Sequence, residues 1–262
     1  MEPISCASIQ FNIDLGNVDA NLKRAVEALH RVAERGAQLA VLPEMWSTGY
    51  AYRNLQELAA KTPRVLERIG QECRELNLVS VGSLPELENG RIYNTAYVID
   101  RGEIVASYRK LHLFSTLGED KFLAAGNHSL VVETSVGRLG IAICYDLRFP
   151  ELFRKLALEG ADLICIPAEW PKPRQVHWQT LLRARAIENQ VFVIAANCCN
   201  IQGKIDFCGL SQIISPLGDI LTAADESSDT ELVAKFDFSE MESYRAQIQI
   251  LNDRRADIYG TP

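Results

Sequence analysis

Residues 139–151 read Leu-Gly-Ile-Ala-Ile-Cys-Tyr-Asp-Leu-Arg-Phe-Pro-Glu. The apolar residues before Cys144 predict a buried strand, and Pro150 is typical of the first turn of a helix. The segment therefore delivers Cys144 to a turn between a strand and a helix. Backbone N–H groups near such a turn can stabilise a thiolate and an oxyanion. Taken alone, the segment is equally compatible with an inert cysteine, because free cysteines are commonly buried.

Strands and helices alternate on both sides of this segment. Apolar runs predict strands at residues 4–10, 39–42, 78–81, 138–144, 162–166, 191–197, 207–215, 219–222 and 231–236. Apolar residues at helical spacing predict helices at residues 22–33, 62–76, 150–158 and 175–189, with a further short helix near Ser239. Thr62 is expected to cap its helix, with Pro63 in the first turn.

Hairpins interrupt this alternation in the middle of the chain. The dipeptide Arg101-Gly102 separates two strand-like runs at residues 93–100 and 103–108, and a second turn at 135–137 separates 130–133 from 138–144. A purely parallel doubly wound sheet lacks such hairpins. The sequence therefore predicts an α/β fold in which two mixed sheets pack face to face, with helices outside.

Composition excludes several classes of protein. The 262 residues are 47% hydrophobic, which is typical of a globular chain with a large core. The net charge of −7 argues against binding to nucleic acid, and no apolar run approaches the roughly 18 residues of a membrane span. Residues 1–10 do not resemble a signal peptide. We expect a cytoplasmic protein with a single domain over residues 1–262, in which residues after about 240 form a C-terminal extension.

The seven cysteines do not form a recognisable framework. Their number is odd, their spacing is irregular, and no two are separated by only two residues. We therefore expect reduced thiols rather than disulfides or a zinc site. No metal and no organic cofactor is expected.

Two further segments place reactive side chains after strands. Glu44 follows an apolar run in Leu-Pro-Glu, where it is either a site residue at a sheet edge or a solvated loop residue. Arg109 and Lys110 follow the first hairpin and should point to opposite sides of a strand. One of them would then face inward, unless both are surface cations.

Together these motifs resemble the nitrilase superfamily of carbon–nitrogen hydrolases, over about residues 4–236. The resemblance implies a four-layer α-β-β-α sandwich and a homodimer paired through its outer helices. It implies that Glu44, Lys110 and Cys144 are catalytic and that Glu119 supports them. No metal takes part in the implied chemistry, and the implied partner is a small-molecule amide.

The resemblance also implies a mechanism. Cys144 attacks the carbon of a C–N bond, Glu44 transfers protons, and a thioester on Cys144 is then hydrolysed. The Lys110 ammonium and the Tyr145 backbone N–H hold the oxyanion. A nearby lysine favours the thiolate of a cysteine. Glu119 positions either Lys110 or the substrate amide.

Residues 167–178 and 183–190 are similar to the bacterial omega-amidase branch, which hydrolyses 2-oxoglutaramate and often 2-oxosuccinamate. Glu169 departs from this pattern, because asparagine is common at its position. The far carboxylate of such a substrate needs a cation, for which Arg148 is the first candidate and Arg174 the second.

Each proposed binding residue also has a structural alternative. Arg148 could instead form an ion pair with Glu151 or Asp146. Trp170 and Tyr50 could form pocket walls or simply pack in the core.

Other activities remain open at the level of sequence. A deaminated-glutathione amidase carries a similar nucleophile motif, and a nitrilase or N-carbamoyl amidase would use the same three residues. From a different class, the chain could be an inactive binding or scaffold member, although Glu44, Lys110 and Cys144 are all present. A redox or metal-binding role lacks spaced ligand pairs.

Overall fold

Two six-stranded mixed sheets form the centre of the fold in the computed structural model, which describes residues 2–260. Numbered along the chain, the strands are β1 (Ile4–Gln10), β2 (Leu39–Val41), β3 (Val79–Glu88), β4 (Arg91–Asp100), β5 (Glu103–Arg109), β6 (Leu130–Thr134), β7 (Gly137–Ile141), β8 (Leu163–Ala168), β9 (Phe192–Asn197), β10 (Cys199–Gln202), β11 (Ile205–Cys208), β12 (Gln212–Ile214), β13 (Ile220–Ala223) and β14 (Thr230–Phe236). The helices are α1 (Val18–Glu34), α2 (Leu55–Ala59), α3 (Thr62–Glu75), α4 (Pro150–Leu158), α5 (Gln175–Asn189), α6 (Phe238–Gln247) and α7 (Ala256–Tyr259).

The first sheet has the strand order β14-β1-β2-β3-β4-β5, and the second has the order β13-β12-β9-β8-β7-β6. In the first sheet β1, β2 and β3 run parallel, and in the second β7, β8 and β9 run parallel. The other neighbours in both sheets pair antiparallel. The predicted mixed sheets are confirmed.

The two sheets pack against each other through their central strands. Strand β1 lies on β9, and β2 lies on β8. The buried hydroxyl of Ser8 donates to the Ala195 carbonyl at 2.9 Å and so joins the sheets directly. Helices α1 and α3 cover the first sheet, and α4 and α5 cover the second. This arrangement confirms the predicted four-layer α-β-β-α sandwich.

Helix α1 forms where the sequence supplies a cap and an apolar stripe. The Asn17 side chain accepts a hydrogen bond from the Ala20 backbone N–H, which satisfies one of the free donors at the helix start. Ala25, Leu29 and Val32 recur at helical spacing and are fully buried against the first sheet. Gly36 lies just after the helix end, where it adopts a left-handed φ of 81°.

The hairpin at Arg101-Gly102 forms as predicted, since both residues have the positive φ that a two-residue hairpin turn requires. A second hairpin, at Asn89-Gly90, was not predicted. Strand β3 runs on to Glu88, well past the predicted end at residue 81. Gly82 and Pro85 interrupt its apolar pattern, and both are residues that are depleted in strands.

Three local predictions are wrong. Thr62 is the first residue of α3 rather than its cap, and its hydroxyl donates to the Pro85 carbonyl at 2.6 Å. The single strand predicted at residues 207–215 is two strands in different sheets, because the chain turns at Gly209 and Leu210, both with positive φ. Cys144 is not part of β7, which ends at Ile141; it begins a 3-10 turn, Cys144–Arg148.

Candidate active site

The ends of strands from both sheets bring the predicted site residues together. Glu44 follows β2, Lys110 follows β5, and Cys144 follows β7. The Glu44 backbone N–H donates to the carbonyl of Ala168, the last residue of β8, at 3.3 Å. Because the carboxyl ends of β2 and β8 meet here, the site lies where the open ends of α/β sheets usually bind ligands.

Lys110 occupies the centre of the site and is fully buried. Its Nζ donates to Oε1 of Glu44 at 2.8 Å, and to Oε1 and Oε2 of Glu119 at 2.8 and 2.9 Å. A buried ammonium is stable only when it is paired and hydrogen-bonded. Of the two neighbouring cations, Lys110 is therefore the inward one, and Arg109 pairs with Glu86 and Glu88 near the surface.

The Glu44 carboxylate is held by three donors. Asn94 Nδ2 donates to Oε1 at 2.6 Å, beside Lys110, and the Glu169 backbone N–H donates to Oε2 at 2.9 Å. Glu44 is fully buried. Its orientation is therefore fixed, as a residue that transfers protons requires.

Glu119 holds Lys110 from the other side. Its carboxylate also accepts the Phe114 backbone N–H at 3.0 Å and the Tyr50 hydroxyl at 3.3 Å. Glu119 begins a short 3-10 turn after the segment that carries Lys110. Glu119 is nine residues from Lys110 in sequence, and this turn brings its carboxylate into direct contact with the Lys110 ammonium.

Cys144 adopts a backbone conformation that side chains rarely occupy. Its φ is 45°, in the left-handed region, and only 5% of the residue is exposed. Such strain persists only where the surrounding structure enforces it, and it is concentrated at functional sites. Sγ lies 3.7 Å from the Glu169 carbonyl oxygen. The turn therefore presents the sulfur to the buried space beside Glu44 and Lys110.

The charges of the site act on one another. Burial alone would lower the pKa of Lys110, but Glu119 and Glu44 more than offset this and raise it. Burial, and next the Glu44 carboxylate, raise the pKa of the Cys144 thiol well above its ordinary value, although Lys110 opposes them. The sequence led us to expect that the lysine would favour the thiolate. In the folded site burial and Glu44 outweigh it, so the pKa of the thiol is raised rather than lowered.

A small, narrow cavity opens onto the sulfur. Seven residues line it: Phe114, Cys144, Tyr145, Arg148, Trp170, Pro171 and Arg174. Arg148 and Arg174 are both partly exposed, and neither has a carboxylate within 4.0 Å among residues 2–260. The ion pair of Arg148 with Glu151 or Asp146 is thus not formed.

Aromatic rings and a histidine position the two guanidinium groups instead. Arg148 lies 4.9 Å from the Trp170 ring centre and 3.2 Å from His177 Nδ1, and Arg174 lies 5.3 Å from the Phe114 ring centre. Cation–π contacts of this kind orient a cation without neutralising it. The cavity therefore combines the Cys144 thiol with two positive charges that have no anionic partner in the described chain.

The sequence profile of carbon-nitrogen hydrolases matches residues 5–246. The chain belongs to this family. It is 39% identical to the 2-oxoglutaramate amidase of Bacillus subtilis over 260 residues, which cover 98% of both chains. It is 33% identical to the chloroplastic omega-amidase of Arabidopsis thaliana, over 95% of this chain and 74% of the relative. The crystal structure of a carbon-nitrogen hydrolase from Helicobacter pylori superposes with a TM-score of 0.92 at 26% identity, covering 98% of this chain and 97% of that one.

Asp146 is a central residue of this carbon-nitrogen hydrolase that sequence reasoning did not assign to the site. Its buried carboxylate accepts the Ile143 backbone N–H at 2.9 Å, just before the nucleophile. The same carboxylate accepts the Tyr108 hydroxyl and the His112 backbone N–H, on both sides of Lys110. An aspartate two residues after a candidate nucleophile was the available signal in the sequence. Asn94, which orients Glu44, carried no comparable signal.

One predicted binding residue, Tyr50, and two histidines lie at the edge of the site. Tyr50 contacts Glu119 rather than lining the cavity. His112 bonds Asp146 through Nδ1 and stacks on Phe149, while His177 is exposed beside Arg148. Both histidines therefore have contacts of their own outside the cluster formed by Glu44, Lys110 and Glu119.

All seven cysteines are buried and free. Between residues 2 and 260 no three histidine, cysteine or acidic side chains are grouped in a way that could hold a metal ion. In the same part of the chain no helix has both the length and the apolar character needed to cross a membrane.

Proposed function

We propose that this carbon-nitrogen hydrolase acts on the terminal amide of a small 2-oxo acid, such as 2-oxoglutaramate or 2-oxosuccinamate, and releases the dicarboxylate and ammonia. The observation that carries the proposal is the pair of guanidinium groups, Arg148 and Arg174, in the cavity that opens onto Cys144. An arginine binds a carboxylate through two parallel hydrogen bonds. The substrate would place its carboxylate there and its amide at the sulfur.

In the first step Glu44 takes the thiol proton of Cys144 as the sulfur attacks the amide carbon. The carbonyl oxygen becomes an oxyanion, which the Lys110 ammonium and the Tyr145 backbone N–H stabilise. Tyr145 is the second residue of the 3-10 turn, where backbone N–H groups have no partner within the helix. The raised pKa of Cys144 explains why this step needs a base so close to the sulfur.

The tetrahedral intermediate then breaks its C–N bond. Glu44, now protonated, gives its proton to the nitrogen, and ammonia leaves a thioester on Cys144. Glu44 next takes a proton from water, whose oxygen attacks the thioester carbon. The C–S bond breaks, the sulfur recovers a proton, and the carboxylic acid product leaves. Glu119 acts as a positioning residue, because its carboxylate holds the Lys110 ammonium through two hydrogen bonds.

The size of the cavity supports a short substrate. The narrow space in front of Cys144 suits a small amide better than one of glutathione length. Trp170 would form one wall, since it lines the cavity. Its indole Nε1 donates a hydrogen bond to the Arg174 carbonyl at 2.9 Å, which holds the ring in place. The names of the Bacillus subtilis and Arabidopsis thaliana relatives agree with this substrate class.

The domain organisation, location and assembly of the chain complete the proposal. We propose one functional domain over residues 1–262, whose segment after about residue 240 is an extension held by Arg245, which donates to the Gln190 carbonyl at 3.0 Å. We propose a cytoplasmic location, which the seven free cysteines support. We propose a homodimer paired through the outer helices, which the exposed apolar residues Leu158 and Ile187 on α4 and α5 support. Light scattering of the purified protein would test the dimer.

The decisive experiment is to measure ammonia release from 2-oxoglutaramate by the purified protein. Cys144→Ala is the control, and we expect it to remove activity while leaving the fold intact. Rapid release that depends on Cys144 would support both the nucleophile and the substrate class. Absence of release from a protein that does hydrolyse deaminated glutathione or an N-carbamoyl amine would overturn the substrate assignment and keep the chemistry.

A further inference from the structure

Glu169 lies between the nucleophile and the base of the site. It directly follows β8, and 1% of the residue is exposed. Its backbone N–H donates to Glu44 Oε2 at 2.9 Å, while its backbone carbonyl oxygen lies 3.7 Å from Cys144 Sγ. The backbone of one residue thus contacts both reacting groups. Its side chain therefore begins within the site itself.

The Glu169 carboxyl has no hydrogen-bond partner. Both of its oxygens are buried, and neither contacts a donor or acceptor anywhere in residues 2–260. By contrast, the carboxylates of Glu44 and Glu119 each accept several hydrogen bonds. Leaving a buried polar group without a partner is costly, and such groups in native proteins usually serve a function. The free carboxyl of Glu169 is therefore suited to bind a polar group that enters the site.

Charge balance indicates the form in which Glu169 acts. Three carboxyl groups, those of Glu44, Glu119 and Glu169, surround the single ammonium of Lys110. Glu44 and Glu119 are bonded to that ammonium directly, whereas Glu169 receives no N–H donor. Burial, and next the charge of Glu44, raise the pKa of Glu169 well above its ordinary value. A neutral carboxylic acid, with one O–H donor and one carbonyl acceptor, is the form that fits this environment.

We propose that Glu169, as a neutral carboxylic acid, binds the amide nitrogen of the substrate and then the water that replaces the departing ammonia. The inference rests on the proposed amide hydrolysis at Cys144. Glu44 defines the nitrogen side of the reacting carbon because it delivers the proton to the leaving group. Glu169 lies on that same side, because its backbone N–H donates to Glu44 Oε2 at 2.9 Å.

The two hydrogen-bonding functions of the acid match both occupants of this position. The carbonyl oxygen of Glu169 accepts an N–H of the substrate amide. After ammonia has left, the same oxygen accepts an O–H of water, and the acid O–H can donate to the oxygen of a second water or to released ammonia. Since hydrolysis of the thioester retraces the path of its formation, water attacks from the side on which ammonia departed. One residue therefore serves both halves of the reaction without changing its own protonation.

Two substitutions separate this role from a structural one. Glu169→Gln keeps the shape, the neutral charge and both kinds of hydrogen bond, so we expect kcat/KM to fall by about threefold. Glu169→Met keeps the length but offers no hydrogen bond, and we expect a loss of about thirtyfold or more, in line with sites that hydrogen-bond their substrate. The Met variant should be at least as resistant to urea as the parent, because it removes an unpartnered buried acid. Glu72→Gln is the matched control, since Glu72 is buried and pairs with His30.

Several results would overturn the proposal. A Met variant with the parent kcat/KM would show that Glu169 does not touch the substrate. A Gln variant as impaired as the Met variant would show that the active form is an ionised carboxylate. Infrared difference spectroscopy of the Cys144→Ala protein gives a test that needs no Met variant. Adding acrylamide, a small primary amide, should shift the carbonyl band of a protonated acid, and Glu169→Gln should abolish that band. Absence of the band would also refute the proposal.

A second readout keeps this inference distinct from the substrate assignment. Acrylamide carries the amide group, whereas methyl vinyl ketone carries a methyl group in its place, and both alkylate thiols. We expect the ratio of Cys144 alkylation rates, acrylamide over methyl vinyl ketone, to fall in the Met variant and to change little in the Gln variant. If the protein failed to hydrolyse 2-oxoglutaramate and this ratio still fell, only the substrate class would be wrong. If hydrolysis were normal and the ratio were unchanged, the role of Glu169 would be wrong.

Discussion

The Tyr108 hydroxyl donates a hydrogen bond of 2.8 Å to Oδ2 of Asp146, and both side chains are fully buried. Tyr108 lies on β5, two residues before Lys110, and Asp146 lies two residues after Cys144. The bond therefore connects the segment that carries the lysine to the turn that carries the nucleophile. Because β5 and β7 belong to different sheets, this bond also fixes the position of the two halves of the site relative to each other.

Asp146→Asn should damage both stability and turnover. Asparagine has one acceptor oxygen in place of two, so it cannot hold Tyr108, Ile143 and His112 together. We expect a loss in the free energy of unfolding on the order of 3 kcal/mol and a fall in kcat of about a hundredfold, because the reacting groups lose their alignment. Urea unfolding and steady-state kinetics would measure these effects.

Tyr108→Phe is the matched control for this substitution, since it removes one bond to Asp146 and leaves those from Ile143 and His112. Tyr108→Phe should lower the free energy of unfolding by about 1 kcal/mol and should affect kcat much less than Asp146→Asn does. Equal effects of the two substitutions would contradict the role given to the Asp146 carboxylate.

Glu44→Gln should separate the two functions of the glutamate. Turnover should fall by about a thousandfold, as expected for loss of a residue that transfers protons. The negative charge of Glu44 raises the pKa of the Cys144 thiol, so its removal lowers that pKa and increases the thiolate fraction at a given pH. Alkylation of Cys144 by iodoacetamide, followed between pH 6 and pH 10 by peptide mass spectrometry, should therefore move to lower pH. A shift to higher pH would show that Glu44 does not govern the charge of the sulfur.

Arg148→Ala should weaken binding of a substrate that carries a carboxylate. We expect KM for 2-oxoglutaramate to rise about tenfold to a hundredfold, the effect of losing a hydrogen bond to a charged group. The KM for a neutral amide such as butyramide should change less than about twofold. Arg53→Ala is the control, because Arg53 is exposed and does not line the cavity. A similar rise in KM for both amides would instead indicate a distorted cavity.

Buried cysteines should make the protein less stable at high pH. Burial raises the pKa of Cys73 from an ordinary 9.0 to about 11. Below pH 9 the thiol is protonated in both states, so the stability that the protonated thiol contributes is fully present. As the pH rises towards 11, the unfolded state loses its proton first and that stability is lost. Cys73→Ser should reduce the fall in unfolding free energy between pH 9 and pH 11 by about 2 kcal/mol. Parallel curves for the two proteins over that interval would refute this account.

Elements with strong boundary signals could be predicted from the sequence. Strand β1 and helices α4 and α5 have the predicted limits, since each has a proline at its start or within two residues before it. Strand β3 was predicted too short because Gly82 and Pro85 interrupt its pattern. Pairing with β4 overrides that interruption in the folded sheet.

The site could be predicted only in part, because some of its contacts depend on distant residues. Alternation indicated that either Arg109 or Lys110 faces inward, but the choice depends on Glu86 and Glu88, which pair with Arg109. Glu44 and Glu169 are 125 residues apart and meet only because β2 lies on β8. Neither segment carries a signal that it contacts the other. The unpartnered carboxyl of Glu169 could therefore be recognised only from the three-dimensional structure.

The left-handed backbone of Cys144 restricts how this enzyme could change its chemistry. At a φ of 45° a side chain branched at Cβ clashes with the main chain. Threonine, an effective nucleophile in other hydrolases, is thereby excluded at this position. Replacement of sulfur by oxygen would have to pass through serine, whose alkoxide forms far less readily beside the same glutamate. The backbone angle thus restricts this position to unbranched nucleophiles, and the neighbouring glutamate favours the thiol among them.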